Sequence, residues 1–230
     1  MLVAIEGIDG SGKGTQAKRL FERLQSAGTS AELLSFPRYG DTRFGKAIGD
    51  FLNGRFGPLN AVHPLLASLL YAGDRFESRE LLLEAMKSND VVILDRYVAS
   101  NIAHQGAKLA AVEREELKKW VETIEYEIFA LPRPDLVILL DLPAETAQEL
   151  IAKKAARSYT EKTADLQEAD GTYLAAVRDV YRELAVDEPH WRIVPCQREG
   201  ELRSIEDIGG EIENIVQDAR TSYKSRQHRN

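Results

Sequence analysis

The residues best placed to do chemistry lie at the start of the chain, in the glycine-rich segment Gly7–Thr15 (GIDGSGKGT). The segment follows a short apolar run and precedes an amphipathic stretch, which is the strand–loop–helix context of a phosphate-binding loop. Glycines let successive backbone N–H groups turn inward around an anion, and the N-terminus of the following helix adds its positive end. Lys13 would reach the outer phosphates as a point charge. The predicted phosphate-binding residues are Gly7, Asp9, Gly10, Ser11, Gly12, Lys13, Gly14 and Thr15.

One position of this loop departs from the usual pattern. A Ser or Thr normally follows the lysine and binds Mg²⁺ through its hydroxyl, whereas here Gly14 follows and Thr15 comes one residue later. We therefore expect the metal to be held partly through water and through the nucleotide. The same departure argues against a GTPase-type site, in which the direct hydroxyl ligand is expected.

Three further segments combine arginine with aromatic or amide side chains: Phe36–Tyr39 (FPRY), Tyr71–Arg75 (YAGDR) and Asp95–Asn101 (DRYVASN). In an open α/β sheet, ligands bind beyond the carboxyl ends of the strands, so these segments should converge on the phosphate-binding loop. Guanidinium groups suit a phosphate, a ring suits stacking on a flat base, and an amide suits the hydrogen-bonding edge of that base. The pattern predicts a site for a phosphate next to a base.

The elements that must position these residues alternate between short apolar runs and longer amphipathic stretches. Val91–Asp95 (VVILD) and Leu136–Asp141 (LVILLD) are apolar on both faces, as at the centre of a parallel sheet. The alternation predicts an α/β fold with a five-stranded parallel sheet and helices on both faces. The predicted strands are Leu2–Glu6, Ala31–Phe36, Val91–Asp95, Leu136–Asp141 and Arg192–Pro195, and the predicted helices are Lys13–Ala27, Gly45–Leu52, His63–Lys87, Glu113–Ile128, one beginning at Pro143, Tyr173–Ala185 and Ile205–Ala219.

Composition is that of an ordinary globular protein. The 230 residues are 43% hydrophobic and 29% charged, which excludes a disordered chain and a fibre. The net charge of −7 argues against the wrapping of nucleic acid. No apolar run is long enough to span a membrane, and the lone cysteine, Cys196, suits a reducing cytosol. We expect a cytoplasmic protein with one domain over residues 1–220 and a flexible basic tail over residues 221–230.

Five motifs together resemble the thymidylate kinase family of the bacterial type. They are GIDGSGKGTQ, FPRYG, YAGDR, VVILDRYVASN and DLQE, and the resemblance runs from residue 1 to about residue 216. It implies a three-layer P-loop kinase with a short lid that transfers the γ-phosphoryl group of ATP to dTMP, giving dTDP for dTTP synthesis, with Mg²⁺. It also implies a homodimer through helices near residues 45–87, while the composition argues against nucleic acid and a membrane as partners.

The resemblance implies roles for residues on the acceptor side. Arg38 and Arg96 correspond to clamps on the acceptor phosphate. Tyr71 corresponds to the ring that stacks on thymine, and Arg75 and Asn101 correspond to contacts with the edge of the base. The residues implied to contact dTMP are Asp9, Phe36, Arg38, Tyr39, Tyr71, Arg75, Arg96, Ser100, Asn101, His104, Asp165 and Glu168.

The resemblance also covers the sugar and the metal. Tyr39 lies where the family places a ring beside the 2′ carbon of the sugar. His104 stands where the family more often has tyrosine, so it either keeps the hydrogen bond to the sugar or lies on the helix surface. The implied metal ligands are Asp9, Asp95 and Glu168, partly through water.

A basic segment over about residues 153–165 is interpreted as a mobile lid above the phosphates. The phosphate-binding loop contains no arginine, and family members of this kind take their catalytic cation from the lid. Arg157 is the favoured candidate, with Lys153 and Lys154 as the others. Asp165 and Glu168 match a D-x-x-E pattern that closes over the acceptor sugar. The implied catalytic residues are Lys13, Arg157, Asp9 and Arg96.

Two other functions stay open at the level of the sequence. One is another kinase of the same class, such as a deoxynucleoside or cytidylate kinase, and the other is a nucleotide-dependent switch. A nucleoside kinase should lack paired arginines for an acceptor phosphate, so Arg38 and Arg96 argue against it. Gly14 argues against a switch for the reason given above.

Overall fold

A parallel β-sheet forms the centre of the fold in a computed structural model of the chain. The structure describes residues 1–58, 61–157, 171–186 and 188–227, with side chains for all of these except 154–157 and 224–227. The strands are β1 (Leu2–Glu6), β2 (Ala31–Ser35), β3 (Val91–Asp95), β4 (Leu136–Asp141), β5 (Trp191–Pro195), β6 (Gln197–Arg198) and β7 (Glu201–Leu202). The main sheet has the order β2–β3–β1–β4–β5, and β6 and β7 form a separate antiparallel pair.

The central strands β1, β3 and β4 are buried along almost their whole length. Their continuous apolar sequences require helices against the sheet, and α-helical connections supply them. In the parallel register Ile5 pairs with Asp95 and Glu6 pairs with Leu139, so the carboxyl ends of the three strands meet at one edge. The predicted α/β fold with a five-stranded parallel sheet is confirmed.

The helices occupy the connections between the strands of the main sheet and continue beyond them. They are α1 (Lys13–Ser26), α2 (Arg43–Leu52), α3 (Pro64–Glu77), α4 (Arg79–Ser88), α5 (Val98–Gly106), α6 (Ala111–Glu122), α7 (Ala144–Arg157), α8 (Gly171–Ala185) and α9 (Ile205–Gln227).

Two of the predicted helices are wrong in their continuity. The predicted helix His63–Lys87 is divided at Ser78, where α3 ends and α4 begins. The Oγ of Ser78 donates a hydrogen bond to the carbonyl oxygen of Asp74 (2.9 Å), and hydroxyls that compete for backbone groups bend or end helices. The predicted helix Glu113–Ile128 is α-helical only to Glu122 and continues as a π-helical turn, Thr123–Ile128.

The C-terminal helix is longer than predicted. Helix α9 passes through Gly209 and Gly210 and ends at Gln227, beyond the predicted end at Ala219. The flexibility predicted for residues 221–230 stays a prediction. Gly209 permits close packing against α1, because a Cβ there would lie 3.1 Å from Oε1 of Gln16. In the part of the chain that the structure describes, no helix has the length and apolar character needed to cross a membrane.

Candidate active site

The phosphate-binding loop connects the buried end of β1 to the first turn of α1, as the sequence predicts. Gly10 and Gly12 have positive φ angles of 81° and 86°, and Gly12 is the N-cap of α1. A Cβ on Gly10 would lie 2.7 Å from the carbonyl oxygen of Ala147, so only glycine fits there. The loop therefore brings backbone N–H groups together at the positive end of α1, which is the geometry that binds a phosphate.

Lys13 is buried at the centre of this loop. Its ammonium donates a hydrogen bond to the carbonyl oxygen of Ile8 (2.8 Å), and the charges of Asp9, Asp95 and Glu6 act on it. Burial, assisted by the charge of Arg96, lowers the pKa of Lys13 to about 8. A lysine in this state gains charge when an anion arrives, because an anion stabilises its protonated form.

Asp9 joins the phosphate-binding loop to the acceptor side of the site. Its Oδ1 accepts a hydrogen bond from Nη2 of Arg96, and the two groups form an ion pair. Burial opposes ionisation of Asp9, but the charges of Arg96 and Lys13 together hold its pKa well below the usual range. Burial opposes the charge of Arg96, but Asp9, together with Tyr181, Asp95 and Glu6, outweighs burial and raises the pKa of Arg96. Asp9 is thus a permanent carboxylate between two cations.

A cavity of about 220 Å³ lies beside this ion pair, beyond the carboxyl ends of β1 and β3. Nine of the twelve residues that the sequence analysis assigns to dTMP line this cavity, and Pro37, Leu52 and Gln105 are additions from the structure. The lining residues are Asp9, Phe36, Pro37, Tyr39, Leu52, Tyr71, Arg75, Arg96, Ser100, Asn101, His104 and Gln105.

Arg38 is not among the residues that line the cavity. Its guanidinium contacts Asp41 (Nη2 to Oδ2, 3.1 Å) and the Oγ of Ser78 (Nη1 to Oγ, 3.3 Å). Its backbone N–H donates to Oδ2 of Asp74 (3.0 Å), which fixes the chain after Pro37. The clamp on the acceptor phosphate that the resemblance assigns to Arg38 therefore stays a prediction.

His104 lines the cavity rather than the helix surface. Its Nε2 lies 3.2 Å from Nη1 of Arg96, and its Nδ1 lies 3.1 Å from the hydroxyl of Tyr173. Arg96 can only donate, so Nε2 accepts and Nδ1 carries the proton, while the Tyr173 hydroxyl donates to the carbonyl oxygen of His104 (3.1 Å). Burial lowers the pKa of His104 to about 3, so the ring is neutral. Tyr173 was missed from the sequence because it lies 69 residues further along the chain.

Glu125, on the π-helical turn, contacts two residues that line the cavity and was missed by the sequence analysis. It is fully buried and accepts hydrogen bonds from Nε and Nη2 of Arg75 (2.5 and 2.7 Å) and from Nδ2 of Asn101 (2.9 Å). A signal was present, since Glu125 follows the buried Leu117 and Val121 at a spacing of four and so falls in an apolar stripe. Charged residues are almost never fully buried unless they are paired, and such a position points to a partner.

Glu6, the last residue of β1, binds the start of α5 and was also missed by the sequence analysis. Its carboxylate accepts hydrogen bonds from the backbone N–H groups of Tyr97 (2.8 Å) and Ser100 (3.3 Å). It also accepts from the hydroxyls of Ser100 (2.6 Å) and Tyr181 (3.0 Å). Glu6 therefore fixes the first turn of α5, the helix that carries Asn101.

The residues around Asp95 fit a hydrated metal ion. Oδ1 of Asp95 is buried without a hydrogen-bond partner, and a Cβ on residue 14 would lie 3.0 Å from its Oδ2, so Gly14 leaves space there. Among the residues that the structure describes, no group of three His, Cys, Asp or Glu side chains could hold a metal alone. Phosphate oxygens and water would have to supply most ligands, as Mg²⁺ prefers. Glu168, a predicted ligand, lies outside the described residues.

Most of the predicted lid also lies outside the described residues. Helix α7 ends at Arg157, but the side chains of Lys154 and Arg157 are not described, nor are Asp165 and Glu168. Lys153 is exposed, and its ammonium lies 3.9 Å from Oε2 of Glu149 on the same helix. The roles assigned to the lid residues, Lys153 included, therefore stay predictions.

Comparison with known proteins supports the same interpretation of the site. The family profile described as "Thymidylate kinase" matches residues 5–205. Thymidylate kinase of Mycobacterium tuberculosis is 38% identical over 191 residues, covering 80% of this chain and 86% of that protein. A probable thymidylate kinase of Thermococcus onnurineus is 36% identical over 222 residues, covering 94% and 97% of the two chains.

A solved structure of thymidylate kinase from Candida albicans has the same fold. Its TM-score is 0.71 at 26% identity, covering 95% of this chain and 92% of that one. The relatives are bacterial, archaeal and fungal. The comparisons therefore establish the family but do not assign the chain to its bacterial type. Together with the phosphate-binding loop and the cavity beside it, they show that this chain belongs to the thymidylate kinase family.

Proposed function

We propose that the protein transfers the γ-phosphoryl group of ATP to dTMP, giving dTDP. The observation that carries this proposal is the cavity in which Asp9, from the phosphate-binding loop, meets Arg96 and the base-reading pair Arg75 and Asn101. A nucleotide bound there would have its phosphate next to the loop that binds the donor. The family to which the chain belongs supports the same reaction.

In this reaction the protein would position the reactants and stabilise charge, since phosphoryl transfer needs little covalent chemistry from side chains. Lys13 and the N–H groups at the start of α1 would bind the phosphates of ATP. Arg96 would hold the acceptor phosphate, and its bond to Asp9 fixes the plane of the guanidinium. Asp95, with phosphate oxygens and water, would hold Mg²⁺, which would supply further positive charge near the transferred group.

A panel of nucleoside monophosphates with ATP and Mg²⁺, read as ADP release, tests the proposal. We expect dTMP to be the best acceptor and dUMP to be about 10–200-fold worse in kcat/KM, because it lacks one methyl group. Thymidine should be inert, because it lacks the phosphate by which Arg96 would hold the acceptor in line with the donor. Phosphorylation of thymidine at a rate near that of dTMP would make the protein a nucleoside kinase, and a preference for dCMP would make it a cytidylate kinase.

We also propose a homodimer formed through α2 and α3. Helix α3 exposes Leu66 (57%) and leaves Leu69 and Leu70 only partly buried, while Phe44 on the neighbouring α2 is 39% exposed. Exposed apolar side chains on adjacent helices are typical of an association surface.

We place the protein in the cytoplasm, where the free thiol of Cys196 would stay reduced. Burial raises the pKa of this thiol to about 12.

A further inference from the structure

Glu125 lies behind the two side chains that face the base and holds both of them. Its Oε2 binds Nε of Arg75 (2.5 Å), and its Oε1 is shared between Nη2 of Arg75 (2.7 Å) and Nδ2 of Asn101 (2.9 Å). All three side chains are at most 2% exposed. Glu125 itself does not line the cavity, so it acts on a ligand only through its two partners.

The hydrogen bonds of Asn101 fix which end of its amide is free. Nδ2 donates to the carbonyl oxygen of Ser68 (3.0 Å) as well as to Glu125. Both partners are pure acceptors, so only the nitrogen can face them. Oδ1 is left buried without a hydrogen-bond partner, and Asn101 lines the cavity. The side chain therefore offers the ligand an acceptor.

The same carboxylate fixes the guanidinium of Arg75. Nε and Nη2 are both engaged by Glu125, and Nη1 makes no hydrogen bond within the part of the chain that the structure describes. Arg75 lines the cavity, so it offers the ligand a donor. Donor and acceptor thus come from two side chains that are locked to one carboxylate.

A donor beside an acceptor is complementary to a ligand edge with a carbonyl oxygen beside an N–H group. The imide edge of thymine or uracil has this order, whereas the corresponding edge of cytosine has an amino donor beside a ring-nitrogen acceptor. A cytosine base would therefore place donor against donor and acceptor against acceptor. Such mispairing leaves buried polar groups unsatisfied, which is the strongest basis for rejecting an analogue.

We propose that Glu125 is a positioning residue that sets the hydrogen-bonding polarity of the base site and so excludes cytosine nucleotides. The inference rests on the proposed function and adds the origin of its base selectivity. Glu125 accepts three hydrogen bonds and donates none. A glutamine there would place its NH₂ group against an N–H of Arg75 or against the NH₂ of Asn101. Either Arg75 or Asn101 would then lose its fixed orientation.

Steady-state kinetics of the full-length Glu125→Gln variant with dTMP and dCMP test the proposal. We expect the ratio of kcat/KM for dTMP to that for dCMP to fall about 10–100-fold, through a higher KM for dTMP. The KM for ATP should not change. The matched control is Glu213→Gln, which also breaks a 2.5 Å ion pair with an arginine, Arg23, but lies between α1 and α9. Its dTMP-to-dCMP ratio should equal that of the parent.

A second variant, Glu125→Asp, keeps the charge that Arg75 needs and shortens the reach of the carboxylate by one methylene. We expect a folded protein with an intermediate ratio, between those of the parent and of Glu125→Gln. Folded variants that keep the parental ratio within twofold would overturn the proposal. So would the failure of both variants to fold, because Glu125 would then be a structural residue. A parent enzyme that does not phosphorylate dTMP would instead overturn the proposed function.

Discussion

At the scale of single residues, the site is organised around one carboxylate between two cations. Asp9 pairs with Arg96 and also faces Lys13, and each of these charges changes the pKa of the others. Arg96 has a φ angle of 68°, in the left-handed region that is uncommon for a residue with a side chain. Backbone strain of this kind concentrates at functional sites, where the surrounding structure holds it in place.

Binding of a nucleoside triphosphate should cause Lys13 to take up a proton. With a pKa of about 8, Lys13 is about half protonated at pH 8, and a polyphosphate should raise that pKa. We expect uptake of roughly half a proton per ATP at pH 8 and almost none at pH 6.5. Calorimetric titrations in two buffers with different ionisation enthalpies measure this uptake. In the Lys13→Arg variant, whose guanidinium does not titrate, this proton uptake should vanish. An unchanged uptake in the variant would show that another group takes up the proton.

At the scale of elements, β1 and α5 depend on each other through Glu6. Its carboxylate accepts from two backbone N–H groups at the start of α5 and from two hydroxyls, one of them on α8. The strand that leads into the phosphate-binding loop therefore also anchors the helix that carries Asn101, which lines the cavity. Cutting this link should loosen both halves of the site together.

Glu6→Gln is expected to lower the free energy of unfolding by about 1–3 kcal/mol, because its NH₂ group would face a donor in a fully buried place. Urea denaturation monitored by circular dichroism measures the change. Glu32→Gln is the control, since Glu32 lies exposed on β2 and should change stability by less than about 0.5 kcal/mol. Equal effects of the two substitutions would show that the network around Glu6 adds nothing.

Arg157, the last residue of α7, is proposed to supply the cation that the phosphate-binding loop lacks. A lid cation acts mainly in the transition state, so Arg157→Ala should lower kcat about 10³-fold and change the KM for dTMP little. Lys153→Ala is the comparison, because Lys153 is the rival lid cation and its ammonium lies exposed beside Glu149. Steady-state kinetics decide between them, and a kcat for Arg157→Ala within threefold of the parent would remove Arg157 from the mechanism.

Local patterns explain why the sequence predicted the strands and the phosphate-binding loop so closely. The run VVILD and the loop GIDGSGKGT each carry their signal within a few residues, and β3 and the loop lie where they were expected. Glu125 and Glu6 could not be assigned in this way, because their partners lie 50 and 94 residues away. The division of the long helix at Ser78 was also unpredictable, since a serine within an amphipathic pattern is common.

At the scale of the whole molecule, the apolar side chains on α2 and α3 predict self-association. Leu66→Glu should convert the proposed dimer into a monomer, because it places a charge at the centre of the exposed apolar surface. Sedimentation velocity measures the mass. The control is Val186→Glu, which alters a side chain of similar exposure (63% against 57% for Leu66) just after α8. A Leu66→Glu protein with the sedimentation coefficient of the parent would place the interface elsewhere or exclude one.

The contacts between residues 1–15 and residues 91–106 make those two stretches a single unit of recombination. Asp9 pairs with Arg96, Glu6 binds Ser100, and β1 and β3 share one hydrogen-bonded ladder. A chimaera that takes one stretch from this protein and the other from a diverged relative would join partners that come from different proteins in each of these three contacts. An exchange that begins after residue 107 leaves them intact. Among chimaeras selected for activity, the phosphate-binding loop and α5 should therefore come from the same parent, although residues 16–97 separate them in the sequence.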